Sequence, residues 1–334
     1  MPLGPKKRSS TSTDLSSWNT FVGELASYAP RPNRADTPSP RRDAVIADRQ
    51  GRMIGGVFEG PKSSGWPEAV AEATQCLRAA RAVALETGAY GLPPFKDERR
   101  GAFVAIPVGT STGGGQQRPG PLFHHIKARR IIGKSILRNL AMRRLCGAQS
   151  AAFAFLAPKM FNHYTRVIGA MYDNQPELIA NFDNSIFTAA SFNCGPQTVS
   201  LDHFDHNNLS YGPCALTPLG QFDYKKGGHL ILFDLKLVIE FPPGTIAIIP
   251  LAAVRHGNTP IAPDEDRMSV AQYCAGGIFR WVAYGCKTGT SLDATKAGKA
   301  RKLQRNGGYD ERWSEGLGLY STADSWANDL KTLM

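Results

Sequence analysis

The chain has 334 residues, 42% of them hydrophobic and 20% charged, which is an ordinary composition for a globular protein with a full core. Lys and Arg total 39 against 28 Asp and Glu, and the net charge of +11 favours acidic partners, nucleic acid before anionic membrane. No run of eighteen apolar residues occurs, so we expect no transmembrane span, and the basic N-terminus lacks the apolar segment of a secretory signal. The six cysteines include no CxxC pair, which argues against a zinc ribbon or a disulfide framework and indicates a reducing compartment.

The beginning of the chain differs in composition from the rest. Residues 1–45 are rich in Ser, Thr, Pro and Arg and poor in aliphatic residues, which predicts a disordered basic tail. The short basic run "PKKR" at 5–8 is typical of nuclear-entry signals, and we therefore expect a nuclear protein.

A hairpin and a helix are predicted next. The stretch "DAVIADRQGRMIGGVFE" predicts a short β-hairpin with Gln50 and Gly51 at its turn. Residues 66–88 predict a helix, because Pro67 suits a first helical turn and Gly88 suits a C-terminal cap.

A glycine-rich loop and a basic helix follow. Residues 101–122 predict a strand and then the loop "GTSTGGGQQRPGPL", which is not a Walker A motif because no Lys-Ser/Thr pair follows its glycines. Residues 123–145 predict one helix with an apolar side. The remainder of that helix is densely basic with no acidic residue, which favours contact with phosphates. Its cations are Lys127, Arg129, Arg130, Lys134, Arg138, Arg143 and Arg144.

From about residue 185 the sequence changes to short predicted strands separated by Gly, Pro and Asn. We interpret as strands "IFTAASFNC", "TVSLDHFD", "GHLILFDLKLVIEF", "GTIAIIPL", "VRHGN" and "RMSVAQYCAGGIFRWVAY". Many short strands with no long helix between them indicate a β-barrel, a jelly roll or a sandwich. Residues 289–334 are predicted to form a basic and helical C-terminal extension.

The polar stretch "SLDHFDHNN" carries the first candidate site. Residues i and i+2 of a strand project from one face, so His203 and Asp205 can reach the same metal ion. His206 is an odd step from His203 and is expected to point to the other face. A second imidazole comes from His256 in "VRHGN", far downstream. Two imidazoles and a carboxylate form the facial triad that suits non-haem Fe(II), so these three residues are the predicted catalytic metal ligands.

A candidate anion-binding pair follows the last of these ligands. Arg267 and Ser269 lie two residues apart in "DRMSV", on one face of a predicted strand. A guanidinium fork with a neighbouring hydroxyl is suited to hold a carboxylate through two hydrogen bonds. In a jelly-roll oxygenase, that carboxylate belongs to 2-oxoglutarate.

These residues resemble the double-stranded β-helix dioxygenases that use Fe(II) and 2-oxoglutarate. Three stretches narrow the resemblance to the TET/JBP branch, particularly its fungal members: "GTSTGGGQQRPGPL", "GGHLILFDLKLVIEFPPGTIAIIPLAAVRHGNTPI" and "DRMSVAQYCAGGIFRW". The likeness covers roughly residues 90–285. It implies a mostly β (α+β) fold with flanking helices and a jelly-roll, cupin-like core at about 150–288. Residues 46–149 would supply the helical and glycine-loop support, within one domain over 46–288.

The resemblance also implies an activity and its cofactors. TET-like enzymes use Fe(II), 2-oxoglutarate and O₂ to oxidise 5-methylcytosine in DNA to its 5-hydroxymethyl, 5-formyl and 5-carboxyl forms. The expected partner is methylated, double-stranded DNA whose target base is flipped out of the helix, and we predict no membrane or protein partner. Arg267, Ser269 and Asn193 are the expected co-substrate contacts. The expected substrate contacts are Asn208, His206, Gln116, Arg129, Arg130 and Lys134.

Several alternatives remain open on sequence grounds. Asn208 stands where a TET-like homologue carries an aspartate that bonds the base, and Cys274 and Ala275 stand where a base-contacting histidine is expected. An N6-methyladenine DNA demethylase, or a dual activity, is therefore the first alternative. A protein hydroxylase of the prolyl-hydroxylase type uses a similar order of ligands. The alternative outside enzymes is a DNA-binding module with a relic site.

Overall fold

The computed structural model describes residues 19–21, 43–90, 100–113, 116–122, 126–307 and 309–333. Most of the predicted tail, including the basic run at 5–8, lies outside these residues, and so do Gly114, Gly115 and the histidines at 124 and 125. In the part of the chain that is described, no helix has both the length and the apolar character needed to cross a membrane.

The described strands are β1 (Asn19–Phe21), β2 (Ala44–Ala47), β3 (Met53–Phe58), β4 (Ala105–Ser111), β5 (Gly120–Pro121), β6 (Ala189–Asn193), β7 (Cys214–Gln221), β8 (Leu230–Leu232), β9 (Leu237–Ile239), β10 (Ile246–Ile249), β11 (His256–Asn258) and β12 (Asp266–Tyr273). The described helices are α1 (Trp66–Glu86), α2 (Lys127–Arg138), α3 (Leu140–Leu156), α4 (Pro158–Asn174), α5 (Gly276–Ala283), α6 (Gly289–Asp293), α7 (Lys296–Asn306), α8 (Tyr309–Gly318) and α9 (Ala323–Leu330).

The strands form two sheets. The larger has eight strands in the order β2-β3-β10-β7-β12-β6-β4-β5, and the smaller has four in the order β1-β9-β8-β11. Strand β10 shows how the layers stack, because alternate residues of a strand face opposite sides. Ile246 and Ile248 join a core shared with the helices, whereas Ala247 and Ile249 join a second core shared with β8 and β9. The large sheet therefore lies between helices on one face and the small sheet on the other, and the predicted α+β jelly-roll architecture is confirmed.

The two earliest predicted elements are confirmed. Strands β2 and β3 pair antiparallel, and Gly51 in the connecting turn has φ of 74°, a conformation that glycine adopts at no steric cost. Helix α1 begins at Trp66 with Pro67 in its first turn, and it ends at Glu86, close to the expected boundary. Its buried side, which includes Ala73, Leu77 and Ala84, packs into the core between the helices and the large sheet.

The single helix predicted over 123–145 is wrong, because the chain forms two helices there. Asn139 lies between α2 and α3 with extended backbone angles, φ −72° and ψ 126°. Its side-chain oxygen accepts a hydrogen bond from the backbone N–H of Met142 at 2.9 Å, which caps the N-terminus of α3. The apolar pattern continues across this break, so the hydrophobic spacing alone concealed it.

Two predicted strands are also wrong. Residues 198–205 form only isolated bridges, Ser200 with Arg100 and His203 with His256, instead of a continuous strand. The second half of "RMSVAQYCAGGIFRWVAY" forms α5, which buries Ile278 and Phe279 on one side. Strand β12 stops at Tyr273 because Ala275 takes the N-cap position of this helix.

The C-terminal residues pack back onto the domain. The backbone N–H of Met53 donates to the carbonyl of Ser321 at 2.8 Å, and the hydroxyl of Tyr320 donates to the carbonyl of Tyr211 at 2.6 Å. Trp326 donates from Nε1 to the carbonyl of Phe155 at 2.7 Å. The end of the chain, from Tyr320 into α9, is thus held against the rest of the fold, while the predicted boundary at 288 stays a prediction.

Candidate metal centre and co-substrate pocket

An antiparallel bridge places two histidines side by side. The backbone N–H of His203 donates to the carbonyl of His256 at 3.1 Å, and the reciprocal bond is 3.0 Å long. Residues directly opposite each other in an antiparallel pair project to the same face. The two imidazole centroids accordingly lie 4.2 Å apart. The two histidines therefore converge through a backbone pairing, although the first of them does not lie in a regular strand.

Asp205 completes a three-residue cluster. Its backbone N–H donates to the carbonyl of Leu251 at 3.0 Å, and its Oδ1 lies 3.6 Å from Nε2 of His203. One nitrogen of each histidine and one carboxylate oxygen all lie within 4.8 Å of one another. This spacing allows a single metal ion to bind all three side chains from one side, and two imidazoles with one carboxylate suit Fe(II).

Hydrogen bonds fix the histidine tautomers. Nδ1 of His203 lies 2.7 Å from the carbonyl of Leu201, and Nδ1 of His256 lies 3.1 Å from the carbonyl of Val254. A carbonyl only accepts, so each Nδ1 carries a proton, and in the neutral form of each ring Nε2 has the free lone pair. Burial lowers the pKa of His256 to about 4, so its imidazole is neutral at neutral pH. Both rings are therefore prepared as metal ligands.

A solvent-exposed ion pair connects the two segments that carry the histidines. Arg255 immediately precedes one ligand and Asp202 the other, and their side chains pair, with Nε to Oδ1 at 3.0 Å. The backbone N–H of Arg255 also donates to Asp234 Oδ2 at 2.7 Å. Our sequence interpretation missed this pair. Opposite charges immediately before the two predicted histidine ligands were the available signal.

Asn208 contacts Asp205, one of the three candidate metal ligands. Its Nδ2 donates to Oδ2 of Asp205 at 3.2 Å and lies 3.1 Å from Sγ of Cys214. Asn208 also borders the cavity that contains the metal cluster, where it was expected to contact the base. In the structure its amide N–H groups orient the carboxylate, which leaves Oδ1 of Asp205 directed at His203.

Asn208→Ala is expected to weaken binding of a divalent metal by about 10- to 100-fold, because hydrogen-bond partners of metal ligands have effects of that size. Titration calorimetry with Mn²⁺ measures this. The control is Asn207→Ala, which removes an exposed neighbouring amide. An unchanged metal affinity in Asn208→Ala would show that the bond to Asp205 does not orient the ligand.

Arg267 is a buried cation, and not all of its N–H groups have hydrogen-bond acceptors among the described residues. It is 4% exposed, and its Nη1 donates to the carbonyl of Thr198 at 3.1 Å. Among the described residues its Nε has no hydrogen-bond partner, and no carboxylate lies within ion-pair distance. Burial lowers its pKa to about 10, which leaves the guanidinium charged at neutral pH. A buried unpaired charge is costly, so this site is built to receive an anion.

Ser269 and Asn193 lie beside Arg267 on neighbouring strands. They face each other in the β12-β6 register, and Asn193 Nδ2 donates to Ser269 Oγ at 2.9 Å. Ser191 donates to Asn193 Oδ1 at 3.3 Å. One cavity of about 770 Å³ is lined by these groups, by Arg267 and by all three metal-cluster residues. The apolar part of its wall includes Leu216, Leu230, Phe241, Leu251 and Ala271.

His206 and Gln116 line the mouth of this cavity and also a neighbouring one. We expected His206 to point away from His203, and that expectation is wrong. The reason is that residues 203–208 do not form a strand, so the alternation of faces does not apply. His206 instead lies with its ring centroid 5.6 Å from that of Phe204.

The basic helical region divides into two groups of cations. Arg129 donates from Nε to the carbonyl of Ala89 at 2.5 Å, Arg143 pairs with Asp183 at 2.7 Å, and Arg144 donates to the carbonyl of Gly65 at 2.9 Å. These three therefore hold other elements in place. The exposed residues Lys127, Arg130, Lys134 and Arg138 make no side-chain hydrogen bond or ion pair within the described ranges.

Arg129→Ala is expected to lower the free energy of unfolding by about 1–2 kcal/mol, through loss of one hydrogen bond and one cation–π contact. The guanidinium carbon lies 4.6 Å from the centroid of the Tyr90 ring. Thermal denaturation of Arg129→Ala beside Arg130→Ala, its exposed neighbour, measures the difference. Equal melting temperatures would contradict the structural role.

Comparison with known proteins places the fold. No protein-family model and no curated protein matches the chain. Among solved structures, "NgTET1 in complex with 5mC DNA" aligns over 78% of this chain and 84% of that one, with a TM-score of 0.51 and 15% identity. A 2OG-Fe(II) oxygenase family oxidoreductase from Burkholderia pseudomallei aligns over 65% of this chain and 92% of that one, with a TM-score of 0.29 and 16% identity. The second TM-score is too low to support a conclusion, so the fold is inferred from the first alignment alone. By that alignment, the chain has the fold of a TET-like 2-oxoglutarate–Fe(II) oxygenase.

Proposed function

We propose that this protein is a dioxygenase that uses Fe(II) and 2-oxoglutarate to oxidise a methylated base in DNA. The observation that carries the proposal is a single cavity lined both by the three candidate metal ligands and by a buried arginine that has no acidic partner among the described residues. A metal site alone would fit many activities. A metal site that shares its cavity with a carboxylate-binding site fits a co-substrate that has two acidic groups.

The residues have separable tasks. His203, Asp205 and His256 would hold Fe(II), which when bound supplies the activation of O₂. Arg267 and Ser269 would hold the far carboxylate of 2-oxoglutarate, with Asn193 bonded to the serine. The apolar walls around Leu216 and Phe241 limit the access of water to the reacting groups.

DNA is the proposed substrate on two grounds. The net charge of +11 favours a polyanion, and a solved structure with a similar fold, NgTET1, is described in complex with 5mC DNA. The proposed reaction converts 5-methylcytosine to its 5-hydroxymethyl, 5-formyl and 5-carboxyl forms. An enzyme that acts on a base of duplex DNA must flip it into a pocket, and Gln116 and His206 at the cavity mouth are the proposed contacts. Arg130 and Lys134 are proposed phosphate contacts because they are exposed.

A second candidate is demethylation of N6-methyladenine. It is favoured by Cys274 and Ala275, both about 1% exposed, at the position where a base-reading histidine is expected. Hydroxylation of an N-methyl group gives a hemiaminal, which breaks its C–N bond and releases formaldehyde. The product in that case is unmodified adenine.

Mass spectrometry of nucleosides tests the proposal. The protein is incubated with Fe(II), 2-oxoglutarate and duplexes that contain 5-methylcytosine or N6-methyladenine, and unmethylated duplex is the control. We expect 5-hydroxymethylcytosine to accumulate only when 2-oxoglutarate is present. Loss of N6-methyladenine with release of formaldehyde would favour the second candidate. Succinate formation with protein substrates and no nucleoside change would favour a protein hydroxylase.

We also propose that the protein is nuclear, on the basis of the basic run at 5–8. Imaging of a fluorescent fusion with and without Lys6→Ala and Lys7→Ala tests this. A fusion that is excluded from the nucleus would contradict it.

A further inference from the structure

A second cavity of about 770 Å³ adjoins the cavity that is lined by the three candidate metal ligands. The two share part of their walls, namely Thr112, Gly113, Gln116 and residues 206–208. Much of the remaining wall comes from α4, from α5 and from the C-terminal helices α7 and α8, and connecting residues such as Tyr211 and Lys287 complete it. We call this second cavity the C-terminal groove. Nothing in the proposed reaction uses it.

The C-terminal groove is strongly basic. Its lining contains five cations and, among the described residues, a single acidic residue, Glu315. The cations are Arg166, Arg280, Lys287, Arg305 and Arg312, all of them exposed. Within the described part of the chain, the last four make no side-chain hydrogen bond or ion pair. A groove in which charges of one sign are left uncompensated attracts a polyanion.

The basic wall is fixed in position relative to the metal site. Gly316 of α8 packs on Tyr211, where an added Cβ would lie 2.4 Å from the ring. Tyr284 donates its hydroxyl to Asn306 Oδ1 at 2.6 Å, which holds the end of α7. Tyr211 itself follows the segment that carries His203 and Asp205. A ligand in the groove would therefore have a defined position relative to the metal site.

Aromatic side chains favour nucleic acid over an acidic peptide. Trp313 lines the groove and is 37% exposed, and Tyr211 and Trp281 also line it. Bases stack on such rings without sequence preference, and a groove that combines cations with aromatic rings is typical of single-strand contacts. An acidic peptide has no comparable use for exposed aromatic rings.

We propose that the C-terminal groove binds the DNA strand that carries the target base, next to the nucleotide in the catalytic cavity. Cations such as Arg305 and Arg312 contact its phosphates, and Trp313 stacks on a base that is exposed where the duplex opens around the flipped nucleotide. This inference rests on the proposed function, since it assumes that the target base enters the first cavity. It assigns substrate binding to the C-terminal helices, outside the jelly-roll core.

A triple substitution tests the ionic part. Lys287→Ala, Arg305→Ala and Arg312→Ala are combined, and binding of a fluorescent methylated duplex is measured by anisotropy at several salt concentrations. Each lost phosphate contact reduces the slope of log K against log salt by about 0.9 for duplex or about 0.7 for single strands. We expect a slope smaller by about 2–3 and affinity at least about tenfold lower. The matched control combines Lys62→Ala, Lys296→Ala and Lys299→Ala, which are exposed cations outside both cavities.

The outcomes separate this inference from the proposed function. If the wild type oxidises DNA while the triple variant keeps the wild-type slope, the groove is overturned and the function stands. If the slope falls as expected but no nucleoside changes, the groove stands and the function fails. Wild-type protein without salt-dependent DNA binding overturns the groove, and so does displacement of the DNA by equal amounts of poly-glutamate. Unchanged melting temperature and 2-oxoglutarate binding confirm that the variants are folded.

Substitution of Trp313 tests the stacking part. Trp313→Ala should weaken binding by about tenfold and leave the salt slope unchanged, because stacking involves no counterion release. Trp313→Phe keeps an aromatic face and should restore most of the affinity. Wild-type affinity in Trp313→Ala would overturn the stacking contact.

Discussion

Arg267→Met is expected to raise the dissociation constant for 2-oxoglutarate by roughly 100-fold, which corresponds to about 3 kcal/mol for a lost charge-assisted contact. The same substitution should leave the melting temperature of the ligand-free protein unchanged or higher. The guanidinium is 4% exposed and has no carboxylate partner among the described residues, so its burial is unfavourable until an anion arrives. Replacement of a buried charge by an apolar side chain of similar size is often neutral or stabilising.

Two measurements separate binding from stability in this experiment. Calorimetry with 2-oxoglutarate and Mn²⁺ gives the dissociation constant, and thermal denaturation with and without the co-substrate gives the stabilisation. Wild-type protein at 100 times its dissociation constant should gain about 2.7 kcal/mol, whereas Arg267→Met should gain far less. Arg267→Lys keeps the charge but loses the planar fork, and it should fall between the two. An unchanged affinity in Arg267→Met would remove Arg267 from the co-substrate site.

The three candidate metal ligands could be predicted from the sequence for a chemical reason. A histidine and an aspartate two residues apart are common, and the distant His256 followed by the Arg267–Ser269 pair made the pattern specific. The three predicted side chains come together in the structure although the geometric premise was wrong, since His203 lies outside any regular strand. A backbone bridge between His203 and His256 takes the place of strand alternation. The prediction of which side chains converge therefore survived an error in the predicted secondary structure. The prediction of where His206 points depended on that secondary structure and was wrong.

Other features depend on contacts that sequence patterns do not contain. The break at Asn139 follows from one capping hydrogen bond within a continuous apolar pattern. Arg129 looks like its neighbour Arg130 in the sequence, yet only Arg129 reaches the carbonyl of Ala89. The role of Asn208 depends on its proximity to the carboxylate of Asp205. In each case the partner is chosen by packing, which local spacing leaves undetermined.

The basic residues illustrate the same limit in the opposite direction. The sequence predicted phosphate contacts at 123–145, where cations are dense, but three of those cations have structural partners. The C-terminal groove gathers its five cations from four helical regions and a loop, so no single stretch of sequence reveals it. A binding surface of this kind becomes visible only after the chain has folded.

His203→Ala and Asp205→Ala are each expected to reduce turnover to below detection and to release the metal, while the fold is retained. The two side chains are 17% and 36% exposed, so their loss creates little buried cavity. The backbone bridge between residues 203 and 256 does not involve the side chains and should persist. Each substitution removes one of the donor atoms that can meet at one ion.

The matched control for these variants is Asp202→Ala. It removes a carboxylate one residue before His203, and its partner is Arg255 instead of the metal cluster. An exposed ion pair contributes about 0–1 kcal/mol, so this variant should bind metal and turn over nearly as the wild type does. Metal content by elemental mass spectrometry, succinate release and melting temperature are measured on all three. Wild-type turnover in Asp205→Ala would contradict the proposed ligands, because the carboxylate would then be dispensable. Equal loss of metal in Asp202→Ala would also contradict them, because the loss in Asp205→Ala would then reflect a general disturbance of the site and not the removal of a ligand.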